Sequence, residues 1–241
     1  AYYVEMSARA RGYNIMLCNS GPDLRQEKAV VKLLVGRQVD GMLIVPQEHQ
    51  SCAELQPYTE QVPTVFLSED LRDAPLSCVT TDNAGGAYLA MEDLHSLGHR
   101  EILYFGRRSS VTHQLRAQGY LRACRDMGLT PRIVDNAQSS SSVAGGYQLA
   151  RELFEKPLDY TAVLASTDSN ALGLLRAADE RGLRIPEQLS LVGFDNISAA
   201  AMPRIDLTTV EQSKRDMALQ AVEILLDKIE RGTQGYVHQV L

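Results

Sequence analysis

Segments that read as strands alternate with segments that read as helices along almost the whole chain, and this limits the fold more than anything else in the sequence. Val39–Val45 (VDGMLIV) is an apolar run closed by Pro46, as expected of a strand covered on both faces. Strands are also expected at Tyr13–Cys18, Thr64–Leu67, near Val79, at Ile102–Phe105, Arg132–Val134, Thr161–Ala165, Leu189–Gly193 and Leu207–Val210. Between them the apolar spacing turns helical. A helix capped by Asp23 should bury Leu24, Val30, Val31, Leu34 and Val35. Others are expected at 50–58, 82–97, 111–127, 144–155, 168–180 and 214–229, several ended by Gly. Short loops joining strand to helix imply α/β architecture, with parallel sheets flanked by helices.

The stretch VTTDNAGGAYLAMEDLHSLGHREILYFG sits in the middle of this pattern. Asp82 or Asn83 can cap its helix, and Gly98 with His99 and Arg100 suits the helix end. Asn83–Gly86 reads as a hinge, since glycine imposes little steric restriction there. The expected result is two similar lobes. Ligands of open parallel sheets collect outside the carboxyl ends of strands, so two facing lobes would share one cleft. The loops that would face it are Ser68–Asp73, Gly106–Thr112, Gln138–Ser142, Ser166–Ser169, Asp195–Ser198 and Thr209–Ser213. Rich in hydroxyls, carboxylates and amides and almost free of Lys, they suit a neutral polyhydroxylated molecule better than a phosphate.

Composition removes several alternatives. A net charge of −6 disfavours nucleic-acid binding by this part of the chain. Cys18, Cys52, Cys78 and Cys124 lack C-x-x-C spacing and read as reduced packing residues of a cytoplasmic protein. No apolar run approaches the ~18 residues of a membrane span. Glu92, His95 and His99 could suggest a metal site, but Gly98 separates the histidines and their charge suits the helix end, so no metal and no cofactor are expected. No G-x-S-x-G, Walker loop or G-x-G-x-x-G after a strand occurs, which leaves an enzyme the weakest reading.

Three segments then carry a resemblance: TTDNAGGAYLAMEDLHSLGHREILYFG, LASTDSNALGLLRAADERGLRIPEQLSLVGFDN and IDLTTVEQSKRDMALQAVEILLDKI. In this order and spacing they resemble the lactose repressor/galactose repressor (LacI/GalR) family of transcription regulators, and RGYNIMLCNS and VDGMLIVP also fit. The resemblance implies a periplasmic-binding-protein-like fold with a ligand cleft between its lobes. It puts a first lobe at 1–80 plus 213–241, without its first strand, and a second at 81–212. An N-terminal helix-turn-helix headpiece, absent from this sequence, would bind operator DNA. The molecule would be a homodimer, with Leu172, Leu175 and Ala178 as one candidate contact stripe and core packing as the alternative.

Carried over position by position, Arg116 in HQLRAQGY matches the family's ligand-binding arginine. Asp195 in GFDN matches its sugar-hydroxyl acceptor, and Gln212 a residue of a crossing segment. Thr112 lies in one of the candidate loops. Thr167 replaces the family's usual Asn, Ser68 stands where its namesake carries an acid, and Ser141 falls in the region of an aromatic wall. These three departures point to a different ligand, with any aromatic platform supplied by Tyr2, Tyr3 or Tyr147. The expected function is sensing of a sugar or related effector. A periplasmic sugar-binding protein of a transporter would share the fold, and the residues upstream of Ala1 would distinguish the two.

Overall fold

A computed structural model of the chain describes residues 1–21, 23–46, 49–106, 110–135, 141–233 and 235–241. The elements in order are α1 (Tyr2–Ala10), α2 (Leu24–Gly36), β1 (Met42–Ile44), α3 (His49–Thr59), β2 (Thr64–Leu67), β3 (Ser77–Thr80), α4 (Asn83–Ser96), β4 (Ile102–Phe105), α5 (Val111–Asp126), β5 (Arg132–Val134), α6 (Val143–Leu153), β6 (Ala162–Ala165), α7 (Asp168–Glu180), β7 (Ser190–Asp195), β8 (Thr208–Glu211), α8 (Lys214–Arg231) and β9 (His238–Val240). They form two compact units, unit 1 being Ala1–Thr81 with Ser213–Leu241 and unit 2 Asp82–Gln212.

Unit 1 holds a four-stranded parallel sheet in the order β1-β2-β3-β9. Successive side chains of a strand point to opposite faces. Met42, Ile44, Phe66 and Cys78 accordingly join one core with α2 and α3, while Val65, Leu67 and Val79 meet Met217, Ala221 and Leu225 of α8 on the other face. Two expectations fail here. Tyr13–Cys18 forms no strand: β1 is the sheet edge, and no described strand pairs with this segment, so Ile15, Met16 and Leu17 stay exposed. An apolar run cannot become a ladder without a partner. On α2, Val31 and Glu27 are the fully buried residues, and Leu24 and Val30 are only half-covered.

Unit 2 carries a five-stranded parallel sheet in the order β5-β4-β6-β7-β8. Leu103, Phe105, Val163, Ala165 and Leu191 pack against α6 and α7, and Ile102, Tyr104, Ala162, Leu164, Val192 and Phe194 against α4 and α5. Each fully buried Leu or Phe among them contributes about 1.5–3 kcal/mol. The helices of each pair approach closely: a Cβ on Gly119 of α5 would overlap the Ala84 carbonyl, and one on Gly173 of α7 would overlap the α6 backbone at Val143 and Tyr147.

Asn83–Gly86, expected as the hinge, forms the first turn of α4, directly after the boundary between the two units at Thr81 and Asp82. Asp82 caps it, its carboxylate accepting the Gly85 N–H at 2.8 Å. The glycines serve packing: side chains at 85 and 86 would collide with the Asp82 carboxylate and the Phe194 ring. At the other end of α4, Arg100 donates to the carbonyls of His95 and His99 at 2.9 Å each. His99 is held by two hydroxyls, Thr161 at 2.8 Å and Ser190 at 2.9 Å. Among the described residues no group of three potential ligands could hold a metal ion, and no helix is long and apolar enough to cross a membrane.

Candidate functional site

In unit 2 the strand order reverses direction at β4, with β5 on one side and β6 on the other. The α5 helix covers one face of the sheet and α6 the other. Crevices that admit ligands form at the carboxyl ends of strands at such a reversal. Here Gly106 ends β4, Ser166 and Thr167 follow β6, and Asp195 ends β7. Gly106 has φ +133°, and a Cβ there would overlap Ser166 Oγ.

Arg116 enters this region from α5, 2% exposed, and nearly all its reach is used. Nε donates to Asn83 Oδ1 at 2.9 Å and Nη1 to the Ser166 carbonyl at 2.5 Å. Nη1 also lies 3.1 Å from Asp195 Oδ1, and the guanidinium sits 3.8 Å over the centre of the Phe194 ring. Asp195 Oδ1 accepts from Gln212 Nε2 at 2.6 Å. The chain thus brings Arg116, Asp195 and Gln212 together. The Asp195 side chain keeps 22% exposure while its partner keeps 3%, so the carboxylate is the part of the pair that faces outward.

Burial sets the electrostatics. It pushes the Asp195 carboxyl above the ordinary carboxylate range, against the attraction of Arg116; Asp168 adds to the rise, and the Gln212 hydrogen bond opposes it. Burial likewise pushes Arg116 below its usual range, with Asp195 resisting. Both shifts share one cause, since desolvation disfavours charge on either partner. Asp195 and Asn196 also hold φ values of +124° and +49°. Non-glycine residues in such regions cost on the order of 1–3 kcal/mol each and persist only where their surroundings impose them.

The remaining sequence candidates are more dispersed. Thr167 is buried and caps α7 by accepting the Asn170 N–H at 3.1 Å, next to the carbonyl that binds Arg116. Thr112 lies half-buried in the first turn of α5. Ser141 Oγ stands 3.3 Å from His113 Nε2, and Ser110 Oγ 2.6 Å from His113 Nδ1, so His113 joins the starts of α5 and α6. Ser68 belongs to unit 1, with φ +65° and its hydroxyl 3.7 Å from Met217 Sδ. Of the candidate loops, 107–109 and 138–140 lie outside the described residues. Tyr147 is engaged elsewhere, its hydroxyl donating to Glu180 at 2.6 Å and Arg176 stacking over its ring at 4.3 Å. Tyr2 and Tyr3 are exposed on α1 and contact each other edge to face.

Sequence reasoning missed Asn83, Ser166 and Phe194 as supports of Arg116. Phe194 was visible in the GFDN motif as an aromatic beside an acid, which is where a guanidinium finds both a face and a counter-charge. It also missed Asp168 and Thr209, whose hydroxyl and carboxylate meet at 2.5 Å.

Parallel sheets wrapped on both faces, with polar side chains gathered at the strand ends, describe a periplasmic-binding-protein-like domain, and the model of that domain matches residues 91–241. The chain is 33% identical over 230 residues to the HTH-type transcriptional repressor PurR of Edwardsiella ictaluri, covering 94% of this chain and 67% of that protein. It is 29% identical to the repressor CytR of Escherichia coli over 228 residues, with the same coverage. Among solved structures, a LacI transcriptional regulator from a Rhodococcus species superposes with TM-score 0.90 at 27% identity, covering 100% of this chain and 88% of that one. A LacI family regulator from Enterococcus faecium, solved with bound ribose, gives 0.84 at 26% identity, with 99% and 87% covered. This chain belongs to the LacI family of transcriptional regulators, as their effector-binding domain.

Proposed function

We propose that this domain senses a neutral polyhydroxylated molecule of about pentose size, held at the strand ends of unit 2 by Arg116, Asp195 and Gln212. Thr167, which follows the carbonyl that binds Arg116, is the one of the other candidates adjacent to this pair in the chain. The reading rests on the half-open carboxylate. A carboxylate that keeps 22% exposure can meet the hydroxyls of a ligand, and each of its oxygens can accept more than one hydrogen bond. Arg116 already faces a carboxylate of its own chain, so its charge is balanced before any ligand arrives; a phosphate would find no surplus cation in this pair. Ribose in the Enterococcus faecium relative supports the ligand class.

The whole regulator, on this reading, is a cytoplasmic homodimer that binds operator DNA through a helix-turn-helix headpiece, in keeping with the HTH-type repressors it is similar to. It binds its ligand without turning it over. The ligand acts on DNA binding only to the extent that it prefers one functional state of the regulator to the other.

The test is titration calorimetry with D-ribose, adenosine and ribose 5-phosphate. A neutral ligand should bind, and both Asp195→Asn and Gln212→Ala should weaken it at least tenfold with the fold retained. Wild-type affinity in either variant, tighter binding of the phosphate than of ribose, or consumption of the ligand would overturn the proposal.

A further inference from the structure

We propose that Asp168 is the positioning residue of this site: it holds the turn after β7 in the conformation that aims Asp195 at a ligand. The inference rests on the ligand reading above, but its structural part stands apart from it. Asp168 is wholly buried at the start of α7, where an acid is favoured by the helix dipole. That role needs no further partner, and Thr167 rather than Asp168 caps the helix, accepting the Asn170 N–H. The Asp168 oxygens instead reach out of their own helix. Oδ1 accepts from Thr209 Oγ1 of β8 at 2.5 Å, and Oδ2 accepts from the backbone N–H of Ile197 at 2.8 Å. Thr209 Oγ1 accepts in turn from the Asn196 N–H at 3.3 Å.

One carboxylate therefore secures two successive amides of the turn, Ile197 directly and Asn196 through Thr209. These amides follow the two residues of left-handed φ, Asp195 and Asn196. A backbone held in such regions relaxes unless something over-determines it, and these three hydrogen bonds do so. Gly193 belongs to the same device: a Cβ on it would overlap Asp168 Oδ1, so β7 carries no side chain where the carboxylate must pass. Asp168 is not itself presented to a ligand. It acts through Asp195, and through Thr209 on the strand that leads into Gln212.

Hydrogen exchange of the backbone amides, read by mass spectrometry or NMR, and D-ribose titration well below the melting temperature test this together. Asp168→Asn should speed exchange at Asn196 and Ile197 and weaken ribose roughly 10- to 100-fold, the penalty of a misplaced contact group. Thr209→Val, the milder change should Asp168→Asn fail to fold, should speed exchange at Asn196 and weaken ribose about fivefold, the worth of one net hydrogen bond. Thr209→Ser restores the hydroxyl and should restore both values. A merely structural Asp168 would lower the melting temperature while leaving exchange at 196–197 and the ribose affinity at wild-type levels, and that result overturns the proposal. Equal behaviour of the Val and Ser variants overturns it too. Should the wild type bind no ribose, the ligand reading fails, and exchange at 196–197 alone decides the role of Asp168.

Discussion

Removing Arg116 together with its counter-charge should cost less than the two single removals added together. Arg116 is 2% exposed, so Asp195→Asn leaves a cation in the interior with two neutral oxygen acceptors and an aromatic face. Breaking a fully buried pair costs about 3–5 kcal/mol. Asp195 keeps 22% exposure, so water screens part of that, and about 2–3 kcal/mol is expected here. Arg116→Met keeps the shape and removes the charge. It leaves Asn83 Oδ1 and the Ser166 carbonyl without this donor, a loss of roughly 3 kcal/mol. In the double variant the stranded charge disappears, so about 3–4 kcal/mol is expected in place of the additive 5–6, a coupling near 2 kcal/mol. Urea unfolding followed by circular dichroism at 222 nm measures all four proteins. Additivity within about 0.5 kcal/mol would refute the claim that the two charges compensate each other.

Other consequences are simpler to read. The folded Asp195 carboxyl holds its proton more tightly than an unfolded one, because burial disfavours its charge, so it takes up its proton above the ordinary carboxylate range. A hydroxylated ligand prefers the ionised carboxylate, so its affinity should fall as pH drops through the same window, and the Asn variant should show a flat profile by calorimetry. Gly173→Ala should push α6 from α7 and cost about 1–3 kcal/mol or more in urea unfolding, because the obstructing atoms are backbone. Asp82→Ala should cost about 1 kcal/mol through the lost cap of α4, with ribose affinity unchanged.

The α7 helix was legible in the sequence from Asp168 to Glu180, because Thr167 and Gly182 mark its ends with local chemistry. Arg116 and Asp195 were legible only as members of motifs; that they meet at 3.1 Å depends on the reversal of strand order, which no local pattern encodes. The glycines at 85 and 86 misled because a permissive backbone and a crowded one use the same residue, and the crowding comes from Phe194, more than 100 positions away. Tyr13–Cys18 misled because strand-like spacing says nothing about whether a partner is present. The short β9 was missed because HQV has no alternation to read. Thr209 and Asp168 lie 41 residues apart, so neither could point to the other.

Both covalent ends of unit 2 are wired to the ion pair. Its second residue, Asn83, receives the Arg116 Nε hydrogen, and its last, Gln212, grips Asp195. The side chains beside the two points where the chain crosses into and out of unit 2 are thus hydrogen-bonded to one buried charge pair.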